Sequence, residues 1–434
     1  MSAWRPPTVL IVVTAVMIAA VLAVTVGVLP TPNDPAVPDG ATARLVDPAS
    51  FGLNTVHSAA TVPYGAVRLW DTRTTWAHLE PARGVFEWAR LDGCVARARA
   101  QRVPVLLVLG STPAWAATQP TAPGAGWLAR GSSSPPYSDA DWVAYVDAVV
   151  ARYKGRIGAY QIWNEAQSPQ FWKGTPTGLA HLTRLAAQRV AALDPSAVVV
   201  STPLQPRLPS WRAWSAAYLS ALAERGWPVD VFAVHSYQPD ALATPDGRFD
   251  LLRQVQSVLR AAGAPRRPLW DTEVNYSSPA FADHPVQGQQ AADWTARTYL
   301  DSIRLGVART YWYAWDDPLD VLGVTMTPGG PSQRAFTALQ GWVAGSTFRG
   351  CASPLSPTGV VVTTCTFSRG DRRILVVWAS AGGRAPVPVG ARSVCGLLTG
   401  CRPVDEHASI TTSPVLLQPK PAAHRECRPV RMGT

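Results

Sequence analysis

The chain has 434 residues, 47% hydrophobic and 16% charged, which excludes global disorder and allows a large core plus an accessory domain. Its formal charge is +10, and residues 346–434 alone carry 11 Lys/Arg against 4 Asp/Glu. No basic run is interleaved with aromatic residues and no nucleic-acid-binding motif occurs, so the charge points to an anionic surface or envelope polymer and away from nucleic acid.

Residues 8–29 (TVLIVVTAVMIAAVLAVTVGVL) follow Arg5 and contain no charge. At about 1.5 Å per residue in a helix they cross a ~30 Å hydrocarbon core. The stretch exceeds the usual signal-peptide core of about 7–15 residues. It reads as a transmembrane signal anchor, with residues 1–7 cytoplasmic and the remainder on the far side of the membrane. Secretion after signal cleavage is the alternative. Residues 30–47 are Pro-rich and read as a linker.

From 48 to 345, short β-branched runs alternate with helical stretches. The strand candidates are 51–56, 66–70, 103–110, 159–164, 197–201, 229–237, 268–274 and 310–315. Between them, segments such as LTRLAAQRVAALD (182–194) place apolar residues at helical spacing. Strands alternating with helices argue for parallel βαβ units, and eight such units predict an α/β fold, a (β/α)8 TIM barrel. No Gly-rich phosphate loop follows the first strand, and no His/Cys spacing resembles a metal site, so no cofactor or metal is expected. The longest insertion, 118–140, follows the third strand and would wall a cleft on the C-terminal face, offering the rings of Trp127 and Tyr137.

Residues 346–418 change in character to short, turn-bounded strand segments, predicting an antiparallel β domain. Residues 419–434 read as a basic tail. Close spacing suggests Cys351–Cys365 and Cys395–Cys401 disulfides, although six cysteines leave other connectivities open.

Glu165 closes the fourth predicted strand, in AYQIWNE, and Glu273 closes the seventh, in PLWDTEV. Barrel chemistry takes place at the C-terminal ends of strands, and strands four and seven face each other across the mouth. Two facing carboxylates are what glycosidic cleavage requires, one protonated beside the leaving oxygen and one ionised.

The stretches IWNE and DTEVNY resemble the clan A (β/α)8 retaining glycoside hydrolases, closest to family 39 and its relatives. VRLWDTRTTWAHLEPARGVFEWARLD (67–92), GSTPAWAA (110–117), NEAQSPQFWKGTP (164–176), VHSYQP (234–239) and YWYAWDD (311–317) add to the likeness. The resemblance implies that Glu165 is the general acid/base and Glu273 the nucleophile. It implies that Asn164 bonds the sugar 2-hydroxyl and that Arg68 lies under Glu273 and keeps it ionised. Tyr237 or Tyr276 would hydrogen-bond the nucleophile, His235 would touch the substrate or Glu165, and Trp315 would floor the sugar site. Trp115 is a further candidate subsite wall, or a packing residue. Trp70 stands where some relatives carry a polar side chain, and NEA replaces the commoner NEP. The implied partner is a polysaccharide or oligosaccharide of the cell envelope or exterior. The same residues suit a transglycosylase, and a barrel that binds glycan without turnover is the remaining alternative.

Overall fold

The computed structural model describes residues 43–56, 58–239, 243–276, 286–315 and 323–419. The anchor expected over 8–29, most of the linker 30–47 and nearly all of the tail 419–434 lie outside the described residues. Among the described residues, no helix is long and apolar enough to cross a membrane.

Eight strands close into a barrel in chain order. They are β1 (Phe51–Thr55), β2 (Ala66–Leu69), β3 (Val105–Leu109), β4 (Ala159–Ile162), β5 (Val198–Leu204), β6 (Val231–His235), β7 (Leu269–Val274) and β8 (Val307–Trp315). All eight overlap the runs read from the sequence. Neighbours are parallel throughout, and β1 closes on β8 with Phe51 opposite Thr310. The barrel interior packs small Ala66, Ala159 and Ala233 against the large rings of Trp270 and Tyr311. Mixing sizes in this way fills a closed barrel.

Helices α1 (Ala89–Ala100), α2 (Asp139–Tyr153), α3 (Pro176–Leu193), α4 (Trp211–Ala223), α5 (Pro245–Ala261), α6 (Gly288–Leu305) and α7 (Pro331–Val343) follow β2 to β8 in turn. The first unit departs from the expected pattern, because no helix lies among the described residues between β1 and β2. The start of α3 is written in Thr175-Pro176. Thr175 Oγ1 accepts from the Gly178 amide at 3.0 Å, and proline takes a position whose N–H would have no helical partner. Thr244-Pro245 repeats the device at α5, with a 3.2 Å bond from the Gly247 amide to Thr244 Oγ1. Helix α6 ends at Gly306, whose φ of 76° suits glycine.

The β domain holds an antiparallel sheet built mainly from β9 (Thr347–Ala352), β10 (Val362–Arg369), β11 (Arg372–Ala379), β12 (Ala391–Gly396), β13 (Gly400–Pro403) and β14 (Val415–Pro419), beside a two-stranded pair of Ala385–Pro386 with Ser409–Ile410. Its order is β9-β10-β11-β14-β12-β13. Outside β9, residues Arg44–Leu45 add an edge strand opposite Phe348 and Thr347. The end of the Pro-rich stretch is therefore part of this sheet. Both expected disulfides are present, each joining residues directly opposite on neighbouring strands. Cys94 is buried in α1 as a free thiol. One sheet face, with Phe367, Val376 and Trp378, shares a hydrophobic core with Ala292 and Ala296 of α6 and Phe336 and Leu339 of α7. Helix α6 is buried along most of its length, which is unusual for a barrel's outer helix and follows from being covered on both sides.

Candidate active site

The chain leaves β4 through a strained turn. Trp163 has φ 66° and Glu165 φ 40°, left-handed values that cost non-glycine residues about 1–3 kcal/mol each. The Trp163 amide donates to Leu109 O and its indole N–H to Phe171 O, both at 2.7 Å. Gly110 lies against the indole so closely that a Cβ there would come within 3.0 Å of the ring. These contacts fix the backbone that carries Asn164 and Glu165.

Glu273 owes its direction to a bulge. Asp271 and Glu273 are two residues apart and would share a face of a regular strand. Val234 pairs with Asp271, yet the next residue, His235, pairs with Glu273. The extra residue, Thr272, sends Asp271 outward to Arg248 of α5 at 2.6 Å and Glu273 inward to Arg68 at 2.6 Å.

Arg68, fully buried on β2, organises the floor of the mouth. Besides Glu273 Oε1, it donates to Gln161 Oε1 (2.8 Å), Asn54 Oδ1 (3.2 Å) and Asn164 Oδ1 (2.6 Å). Asn164 thus turns its oxygen to the guanidinium and its amide hydrogens away from it. The Tyr237 hydroxyl donates to Glu273 Oε2 at 3.1 Å. His235 Nδ1 lies 3.0 Å from Glu165 Oε1 and 3.5 Å from Glu273 Oε2, bridging the two carboxylates. Oxygens of Glu165 and Glu273 and a ring nitrogen of His235 all fall within 4.8 Å of one another. Two carboxylates and an imidazole have the composition of a metal site. Arg68 and Arg207 already bond the same two carboxylates, however, and their charge disfavours a cation there.

The carboxyls are held differently. Burial alone would raise Glu165, but His235, by hydrogen bond and charge, and Arg207, 2.9 Å from Oε2, hold it well below the usual carboxylate range. Burial pushes Glu273 up, Glu165 and Asp71 push the same way, and His235 and Arg68 pull against them. Burial, followed by the charge of Glu273, lifts the Tyr237 phenol well above its ordinary value and keeps it a donor.

Of the residues picked out in the sequence, Arg68, Asn164, Glu165, His235, Tyr237 and Glu273 meet in one cluster. Three do not. Tyr276 is buried outside the barrel, its hydroxyl 2.7 Å from Thr298 Oγ1 of α6, so it makes no bond to Glu273. Trp315 is buried with Trp312, Tyr276 and Val324 in the cluster shared with α6 and does not floor the site. The nearby ring is Tyr313, whose phenol is pushed far up by burial and by Asp71 and Glu273. Trp115 packs at the side, donating to Glu80 O at 2.8 Å, against Trp76 and under the Arg83 guanidinium.

Asp71 and Arg207 were not among the sequence candidates. Asp71 lies two residues past the end of β2; burial raises its carboxyl against the charge of Arg68 and hydrogen bonds from Tyr313 and Trp127. Its position after a strand end was a readable signal. Arg207 lies in the loop between β5 and α4 and has none. The insertion after β3 is tied down through buried Ser132, Ser133 and Ser134, and Lys173 N donates to Ser133 O at 2.7 Å. Trp127 from this insertion packs on Trp70 at 6.1 Å, while Tyr137 is 83% exposed.

No protein-family model matches the sequence, and no curated protein matches it. Solved structures do match. A family 39 glycoside hydrolase from Bacteroides cellulosilyticus superposes with a TM-score of 0.63 at 17% identity, over 87% of this chain and 82% of that one. The chain has the fold of the family 39 glycoside hydrolases. A family 39 β-xylosidase from Caulobacter crescentus gives a TM-score of 0.61 at 18% identity, covering 88% of this chain and 98% of that one. A family 30 endoxylanase from Clostridium papyrosolvens gives 0.55 at 14%, over 87% and 97%.

Proposed function

We propose that this protein is a retaining glycoside hydrolase that cleaves O-glycosidic bonds of a cell-envelope or extracellular polysaccharide. The observation that carries the reading is a pair of buried strand-end glutamates with carboxylate oxygens within 4.8 Å of each other. That closeness suits the roughly 5–5.5 Å of retaining enzymes and not the ~6.5–9.5 Å of inverting ones. The likeness in fold to family 39 and family 30 structures supports it.

In this reading Glu273 attacks the anomeric carbon while Glu165 gives its proton to the leaving oxygen. A glycosyl ester forms on Glu273. Glu165, now a base, takes a proton from water as that water opens the ester. Arg68 and Tyr237 aim the nucleophile from below and beside it. Asn164, with its oxygen on Arg68, offers its amide hydrogens to the sugar 2-hydroxyl. The apolar stretch 8–29 supports a membrane-held protein with this domain outside the cytoplasm.

The test is hydrolysis of aryl glycosides and envelope polysaccharides by the full-length chain beside Glu165→Gln and Glu273→Gln. Wild type turns over at least one substrate, and its first sugar product keeps the substrate's anomeric configuration by proton NMR. Glu273→Gln abolishes turnover. Glu165→Gln loses about 10²–10⁴-fold on substrates with poor leaving groups. Wild-type rates in Glu273→Gln, or an inverted product, would sink the assignment.

A further inference from the structure

Arg207 stands between Glu165 and solvent. The loop that carries it is pinned to the loop after β4 by reciprocal bonds. Gln205 N donates to Gln167 Oε1 at 3.0 Å, and Gln167 N donates to Gln205 Oε1 at 3.2 Å. Gln167 is held in turn by Ser215 of α4 at 3.0 Å. The guanidinium lies over the Tyr237 ring at 5.8 Å and bonds Glu165 Oε2. The Arg207 side chain is 34% exposed and that of Glu165 only 6%. A leaving group that reaches Glu165 therefore meets Arg207.

The ligand-free pair is set against the chemistry. A general acid carries a proton, yet Arg207 and His235 favour the ionised form of Glu165. A neutral leaving group offers the guanidinium nothing in exchange. An anionic one competes for it: the Arg207 side chain is 34% exposed while its Nη2 holds a carboxylate, and its buried Nε has no hydrogen-bond partner. Such a guanidinium can exchange one carboxylate for another, offering paired N–H donors once Glu165 lets go.

We infer that Arg207 binds a carboxylate on the leaving-group side of the scissile bond, so that the substrate is a uronate-containing glycan; this rests on the glycoside hydrolase reading. When the substrate carboxylate takes the guanidinium, Glu165 picks up one proton from solvent. That proton passes to the leaving oxygen as the C–O bond breaks and the bond to Glu273 forms. The chain's +10 charge favours encounter with such a polyanion.

Two experiments on the full-length protein decide it. In the first, kcat/KM is compared for 4-nitrophenyl and 3-carboxy-4-nitrophenyl glycosides of the same sugars, with wild type, Arg207→Gln and Arg207→Lys. Wild type prefers the carboxylated member by about tenfold or more, Arg207→Gln loses the preference, and Arg207→Lys keeps part of it. Turnover without preference, or the same preference in Arg207→Gln, overturns the inference and leaves the hydrolase reading standing. No turnover of any glycoside counts against the hydrolase reading instead. The second experiment does not need turnover. Calorimetry compares galacturonate, glucuronate and mannuronate oligosaccharides with their carboxyl-reduced forms. At least one acidic oligomer binds wild type about tenfold more tightly than its reduced form, and Arg207→Gln does not discriminate. Equal binding of the paired forms, or no binding, overturns the inference.

Discussion

Glu165 accepts from Arg207 and faces His235 Nδ1, and those contacts have a pH signature. Its folded-state pKa lies below the ordinary 4.5, so the stability it contributes is fully present above that value and is lost as pH falls through the lowered one. Glu273, raised by burial, has the opposite slope: its stabilisation is present in acid and declines as pH climbs through its raised value. Glu165→Gln removes the first effect. On acidification below pH 4.5 the melting temperature of wild type should fall more steeply than that of the variant; parallel curves in differential scanning fluorimetry would contradict this. At this scale the rule that barrel chemistry sits at strand ends made Glu165 and Glu273 readable from the sequence, while Arg68, Asn164 and His235 came from the family resemblance. The resemblance misplaced Tyr276, which lies past β7 and bonds Thr298, and Trp315, which ends β8 and is buried in the same cluster. It had no purchase on Arg207, whose place depends on two glutamines bonding across loops.

The bulge in β7 separates two carboxylates that sequence alternation would put together. Asp271 is fully buried against Arg248, which also donates to Ser236 Oγ, Ser302 Oγ and Thr298 O. This network stitches α5, α6, β7 and the end of β6 together behind the site. Asp271→Ala leaves a buried guanidinium without its counter-ion and should cost about 3–5 kcal/mol, read as a lower urea midpoint. A loss under 1 kcal/mol would show that the serines and the carbonyl suffice. In the sheet, Cys351–Cys365 closes a loop with a sequence separation of 14, and Cys395–Cys401 one of 6. Replacing the first pair by serine should destabilise by about 3 kcal/mol and the second by somewhat less, since loop entropy grows slowly with length. The strands were legible because buried parallel strands are continuous β-branched runs. The bulge was not, because one extra residue leaves no mark in such a run.

Composition marks a change near residue 346, but not how the two parts share α6. Gln289 bonds Ser413 Oγ at 3.0 Å, the Arg297 guanidinium covers the Trp378 ring at 5.0 Å, and Arg304 donates to Ser353 at 3.1 Å. Barrel and sheet should therefore melt together. Calorimetry of the whole chain is expected to give one transition, with barrel-Trp fluorescence and sheet signals coincident; two resolved transitions would mean the parts are separable. The order of pairing has a consequence for synthesis. β1 waits for Thr310 before one of its edges is covered, and Leu45 waits for Thr347. A nascent chain therefore carries an uncovered strand edge until most of the polypeptide has been made. Such an edge can recruit a neighbouring chain. Refolding yield should therefore fall as chain concentration rises, a kinetic demand that the finished molecule no longer displays.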